Sequence, residues 1–159
     1  MKDEEGFTAF VRDRGDALMR TSRLLVIDHG EAEDALQTAL LRLTRHWPVE
    51  APEAYVRKAL VNLARDRGRR KHLVATPAEH LEPGGLPDHA DAHASQAYLE
   101  VLLGQLPAKQ RATVVLRTIE GLSEAETAAA MRCSPGTVKS NLSRGLARLR
   151  ELLPEEASR

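Results

Sequence analysis

The segment SPGTVKSNLSRGLARLR, Ser134–Arg150, holds four cations and no carboxylate: Lys139, Arg144, Arg148 and Arg150. Lysine and arginine at this density neutralise phosphates, and arginine also reads guanine edges. On a helical wheel at about 100° per residue, Val138, Leu142, Leu146, Leu149, Leu152 and Leu153 fall within one arc. Ser140, Ser143, Arg144, Ala147 and Arg148 fall opposite, with Lys139 at the edge. One face can pack. The other offers cations beside small groups that let a backbone approach a groove. Ser134-Pro135 has the types of an N-cap and a first-turn proline. Upstream, LSEAETAAAM opens with a capping-box pair, Ser123 and Glu126. Two capped helices joined by the turn Met131-Arg132-Cys133 make a helix-turn-helix. The plain alternative is a solvated charged face on a bundle helix.

A second cationic cluster lies earlier. Residues 57–72 carry seven basic side chains (Arg57, Lys58, Arg65, Arg67, Arg69, Arg70, Lys71) and one acid, Asp66. Residues 73–100 carry five acids (Glu79, Glu82, Asp88, Asp91, Glu100) and no lysine or arginine. The whole chain balances at 23 Lys+Arg against 23 Asp+Glu. The charge is therefore segregated rather than low, and a polyanion responds to the local field.

Other groups carry less. Asp88, His89, Asp91 and His93, with His80 nearby, are metal-ligand types, but the segment's proline and glycine give them no scaffold. No metal and no cofactor is expected. Cys133 is the single cysteine; it reads as a small hydrophobe, not a redox sensor. With no histidine scaffolded beside a serine, no catalytic constellation exists and the chain is not read as an enzyme.

Several helices must position these groups. Hydrophobic residues make up 42% and aromatics only 3%, so cores are built from Leu, Val and Ala, which favours helices. Helical periodicity places the first helix over 4–27, with Phe7, Phe10, Val11, Leu18, Leu24 and Leu25 inward. Asp28-His29-Gly30 breaks it. A second helix over 31–47 begins with Glu31, Glu33 and Asp34 and ends with Arg42 and Arg45, complementing the helix dipole. Leu36, Leu40, Leu43 and Trp47 form its buried side, and Trp47 closes it on a third helix over 53–70. Residues 73–96, with three prolines and two adjacent glycines, read as a linker and domain boundary. Tyr98–Leu106 forms a helix that Pro107 ends, and 108–120 forms another that Gly121 stops. No apolar run reaches the roughly 20 residues of a membrane span, and the acidic N-terminus lacks a signal-peptide core. A cytoplasmic protein without membrane insertion is expected.

LPAKQRATVVLRTIEGLSEAETAAAMRCSPGTVKSNLSRGLARLR resembles the domain of a bacterial sigma factor that binds the −35 promoter element. AEDALQTALLRLTRHW followed by AYVRKALVNLARDRGRRK resembles the domain that binds core RNA polymerase and melts the −10 element. Two such domains with a linker make the pattern of extracytoplasmic-function sigma factors. The resemblance implies an all-α chain of two small helical domains joined by a flexible linker, with a C-terminal helix-turn-helix. The divisions are 1–72, an acidic linker over 73–96, and 97–159. It implies core RNA polymerase and promoter DNA as partners and, as in many members, an anti-sigma factor. In the family the linker threads the RNA path of the polymerase, where negative charge mimics RNA. Asp34, Gln37 and Leu41 stand where the family meets the polymerase. Asn62 matches the asparagine near the pocket for a flipped −10 base, and Arg57, Lys58, Arg65 and Arg69 flank it as candidate strand-phosphate ligands. Thr137, Lys139, Ser140, Arg144 and Arg148 are the DNA contacts implied on the recognition helix, with Val138 in the core. Three departures are visible. Thr38 stands where an acid is usual, the loop after Trp47 is short, and Arg132 replaces the usual turn glycine. A left-handed Arg132 costs on the order of 1 kcal/mol.

Two other classes compete with this reading. An autonomous helix-turn-helix repressor needs a dimer interface and enough charge to bind alone, and the chain shows neither. A helical adaptor leaves the pairing of small residues and cations on one helix face unexplained.

Overall fold

The computed structural model describes residues 2–73 and 92–153. Among the described residues every regular element is helical. Helix α1 spans Glu4–Leu25, α2 His29–Thr44, α3 Pro52–Leu73, α4 Ala92–Gly104, α5 Ala108–Val114, α6 Glu124–Met131 and α7 Pro135–Leu152. A π-helical turn, Val115–Ile119, continues α5.

Local chemistry sets most boundaries. The Asp28 side chain accepts from Glu31 N–H at 2.9 Å and so starts α2 two residues earlier than periodicity places it. The helix also closes earlier, at Thr44. Trp47 lies beyond it and turns onto α1: its ring stands edge-on to Phe7 at 5.4 Å and tilted against Phe10 at 5.9 Å. Its indole N–H donates to the Asp3 carbonyl at 3.1 Å. Trp47 thus packs on the first helix. Residues 92–96, read as the end of the linker, are the first turn of α4. They lie past the last proline of the segment and consist of helix-compatible residues. Residues 74–91, with the metal-ligand types His80, Asp88, His89 and Asp91, lie outside the described residues, and so does the side chain of His93. No group of metal-ligating side chains occurs among the described residues, and no described helix is long and apolar enough to cross a membrane.

Most of the buried apolar residues form one continuous cluster. Leu24, Leu25, Leu36, Leu43, Val56 and Leu60 supply it from α1–α3, and Leu103, Leu106, Val114, Val115, Leu116 and Met131 from α4–α6. Each fully buried leucine stabilises the fold by roughly 2 kcal/mol. The two halves therefore pack on each other: α4 and α5 lie on α1, while α5 and α6 lie on α3. Arg111 ties the junction. Its guanidinium donates to the carbonyls of Leu25, Leu103 and Leu106, each at 3.0 Å. Burial pulls its pKa down to about 10, so it remains charged at neutral pH.

Candidate nucleic-acid interface

The helix-turn-helix is built from short-range bonds. Ser123 accepts from Glu126 N–H at 3.0 Å, and the Glu126 carboxylate accepts from Ser123 N–H at 3.0 Å, a closed capping box. These bonds hold the Glu126 carboxyl below its usual range. Ser134 caps α7 by accepting from Thr137 N–H at 3.1 Å, and Pro135 occupies the first turn. Between them, Cys133 N–H reaches the Ala128 carbonyl at 3.1 Å and Arg132 N–H the Ala129 carbonyl at 3.4 Å, the paired bonds of a Schellman ending. Arg132 has φ 54° and ψ 48°. The chain thus holds an arginine in the left-handed region that favours glycine.

α7 then shows the two faces read from its sequence. Val138 is fully buried, and Leu142, Leu146 and Leu149 pack partly against the core. Gly145 is buried beside α5, where a Cβ would stand 2.8 Å from Val114 Cγ2. Thr137, Lys139, Ser140, Arg144 and Arg148 are all exposed. Lys139 Nζ lies 3.8 Å from Glu124, and Arg148 pairs with Glu151 at 3.0 Å. Both are exposed pairs of small worth that phosphates can displace.

The cations of α3 divide differently. Lys58 is exposed and Asn62 half-buried on the open side of the helix. Arg57 and Arg65, expected to flank Asn62 toward DNA, instead turn to the C-terminal half. Arg57 Nε lies 3.5 Å from Glu120, and its terminal nitrogen 3.4 Å from Glu53. Arg65 donates to the Met131 carbonyl at the end of α6. Val61, Ala64 and Arg65 border Ala108, Ala112 and Met131 of α5 and α6, and Gly68 faces Ala108. Arg69 continues the helix, with its side chain outside the described atoms. Arg65 also lines a cavity of about 100 Å³ with Lys109, Arg132, Thr137 and Asn141, which brings α3 beside the start of α7.

On α2, Asp34, Gln37 and Leu41 are exposed on one face. Leu41 is 66% exposed, outside the core. Sequence reasoning missed Glu120, Arg111 and Gly145. Glu120 is a lone acid after an apolar run, and nothing local marks it. The π-helical turn carries it to the junction, where its carboxylate also takes the Thr21 hydroxyl.

A helical chain with a capped helix-turn-helix and a cation-bearing exposed face on its second helix has the parts of a DNA-binding protein. Residues 96–149 match the model of sigma-70 region 4. The chain is 44% identical to the RNA polymerase sigma-E factor of Streptomyces coelicolor over 151 residues, covering 92% of this chain and 85% of that one. It is 33% identical to the ECF RNA polymerase sigma factor SigM of Mycobacterium tuberculosis, covering 95% and 79%. It shares its fold with the sigma factor RpoE of Bartonella quintana, solved in complex with the anti-sigma factor NepR. There the TM-score is 0.70 at 24% identity, covering 93% and 96%. CnrH, solved in complex with the cytosolic domain of CnrY, gives a TM-score of 0.66 at 22% identity, covering 95% and 89%. The chain belongs to the extracytoplasmic-function (ECF) family of RNA polymerase sigma factors. Its function is promoter recognition and transcription initiation with core RNA polymerase.

Proposed function

We propose that this role is divided along the chain. Residues 1–72 bind core polymerase through Asp34, Gln37 and Leu41 and hold the melted −10 strand through Lys58, Asn62, Arg69 and, once uncovered, Arg57 and Arg65. Residues 97–159 read the −35 element through Thr137, Lys139, Ser140, Arg144 and Arg148. Residues 73–96 are the acidic linker between them. The protein acts in the cytoplasm as a specificity subunit, not as a catalyst. The anti-sigma factor NepR bound to RpoE supports a regulatory partner of that kind for this chain.

The observation that carries this division is the surface of α7. Five polar or cationic side chains face solvent over a buried Val138 and a buried Gly145. Phosphate contacts position such a helix and base contacts specify the sequence. The test separates them with two variants assayed with core enzyme on promoters differing only at the −35 element. Arg144→Ala should lose about 10- to 100-fold on the preferred promoter and discriminate less between promoters. Lys139→Gln should weaken all promoters alike and flatten the salt slope by about 1. If neither variant changes promoter use, the assignment of α7 fails.

A further inference from the structure

We infer that the hollow shared by α3, α5 and the helix-turn-helix is a binding site for a small phosphate-bearing anion. It measures about 100 Å³, several times the roughly 10–15 Å³ that one water needs, and so admits a tetrahedral oxyanion. Three cations border it from three separate elements: Arg65 on α3, Lys109 on α5 and Arg132 in the turn after α6. Thr137 and Asn141 of α7 add a hydroxyl and an amide, and no carboxylate lines the hollow. Cations converging from three directions suit the three terminal oxygens of a phosphate ester better than the two coplanar oxygens of a carboxylate.

Other cations of the chain have carboxylates beside them: Arg14 has Glu53, Arg57 has Glu120, Lys139 has Glu124 and Arg148 has Glu151. The Lys109 ammonium, the Arg132 guanidinium and the Asn141 amide have no hydrogen-bond or ion-pair partner among the described residues. Arg65 is steadied by the Met131 carbonyl, which leaves most of its planar fork of donors for an oxyanion. Thr137 lies in the first turn of α7, an 18-residue helix, where the dipole is positive. Like charges around one hollow repel each other, and a concave wall of one sign focuses its field on an entering counter-ion. Arg132 adds an independent sign. Its left-handed backbone, φ 54° and ψ 48°, is costly for any residue but glycine. Glycine would end α6 there without strain but would remove a cation from the hollow, and strain kept beside a cavity marks a functional position. An anion seated here also engages Arg65 and Thr137. Its competition with promoter contact rests on the DNA roles proposed above for those two residues, whereas the binding itself does not.

Calorimetric titration of the full-length chain with inorganic phosphate and with pyrophosphate, against chloride at matched ionic strength, supplies the test. Pyrophosphate should bind at one site per chain with a Kd of about 1 mM or tighter, and phosphate should compete for the same site. Lys109→Gln and Arg132→Gly should each weaken binding at least ~10-fold through a lost charge-assisted contact. Arg132→Gly should also raise the urea midpoint by relieving the left-handed backbone, so its loss of binding cannot come from unfolding. Arg45→Gln, at an exposed cation just past α2, should bind as the wild type does. Absence of binding by either anion overturns the site, and so does undiminished binding in both hollow variants. Equal weakening in Arg45→Gln overturns it as well, because the anion then meets only general positive charge. A duplex promoter bound together with core enzyme separates a free anion from a DNA phosphate. Lys109→Gln should leave that affinity unchanged. A loss as large as the one for pyrophosphate would show that the hollow takes a backbone phosphate and would overturn the small-anion site.

Discussion

Single atoms decide several features of the site. Gly145 lets α7 lie against α5, because any side chain there meets Val114. Gly145→Ala should therefore destabilise the chain by about 1–3 kcal/mol through overpacking, despite alanine's better helix propensity. The check is the urea midpoint at unchanged m-value. A midpoint at or above that of the wild type would show that the helices separate at no cost. Arg132 is the opposite case, a side chain kept where glycine would be unstrained. Its left-handed backbone ends α6, and its side chain lines the cavity shared by Arg65 and Thr137. Arg111 links both halves with one guanidinium. Sequence alone presents it as one more surface arginine on a chain whose charges balance.

At the scale of elements, what was legible was what is local. The capping box at Ser123, the Ser134-Pro135 start and the stop at Gly121 each depend on neighbours within a few residues, and the structure contains all three. The outward face of α7 followed from periodicity alone. The stacking of Trp47 on Phe7 and the pairing of Arg57 with Glu120 depend on partners tens of residues away. No window of sequence contains those partners. Local bonds also carry measurable energy. Ser123→Ala should cost about 1 kcal/mol at neutral pH. Because the folded-state pKa of Glu126 is lowered, its contribution is present above the unfolded pKa and is lost as pH falls through the folded value. Glu126→Gln, which removes the titrating group, should therefore show a flatter acid limb than the wild type in a thermal melt series from pH 7 to pH 2. Parallel limbs would exclude the carboxylate from the cap. The exposed face of α2 makes a different demand. Asp34→Lys should weaken retention of the chain on core polymerase at least ~10-fold, with helix content unchanged. An unaltered pull-down would place the polymerase contact elsewhere.

For the whole molecule, balance of charge is a working property. The chain has 23 basic and 23 acidic side chains, yet α7 presents cations to solvent while α3 has two of its own covered by the C-terminal half. Affinity for DNA rises with the number of phosphates neutralised, so one open basic face binds weakly. Core enzyme that holds both halves at promoter spacing would join two weak sites into one strong site through effective concentration. Neutrality then limits unproductive binding by the free factor. The most direct test is anisotropy of a labelled duplex promoter titrated with this chain, with and without core RNA polymerase, over a salt series and against a random duplex. Alone, the chain should bind at about 10⁻⁶ M or weaker near physiological salt, with little preference for the promoter. With core enzyme the promoter should be bound at least about 1,000-fold more tightly than the random duplex. Nanomolar binding of the promoter by the free chain at that salt would contradict the account and make it an autonomous DNA-binding protein.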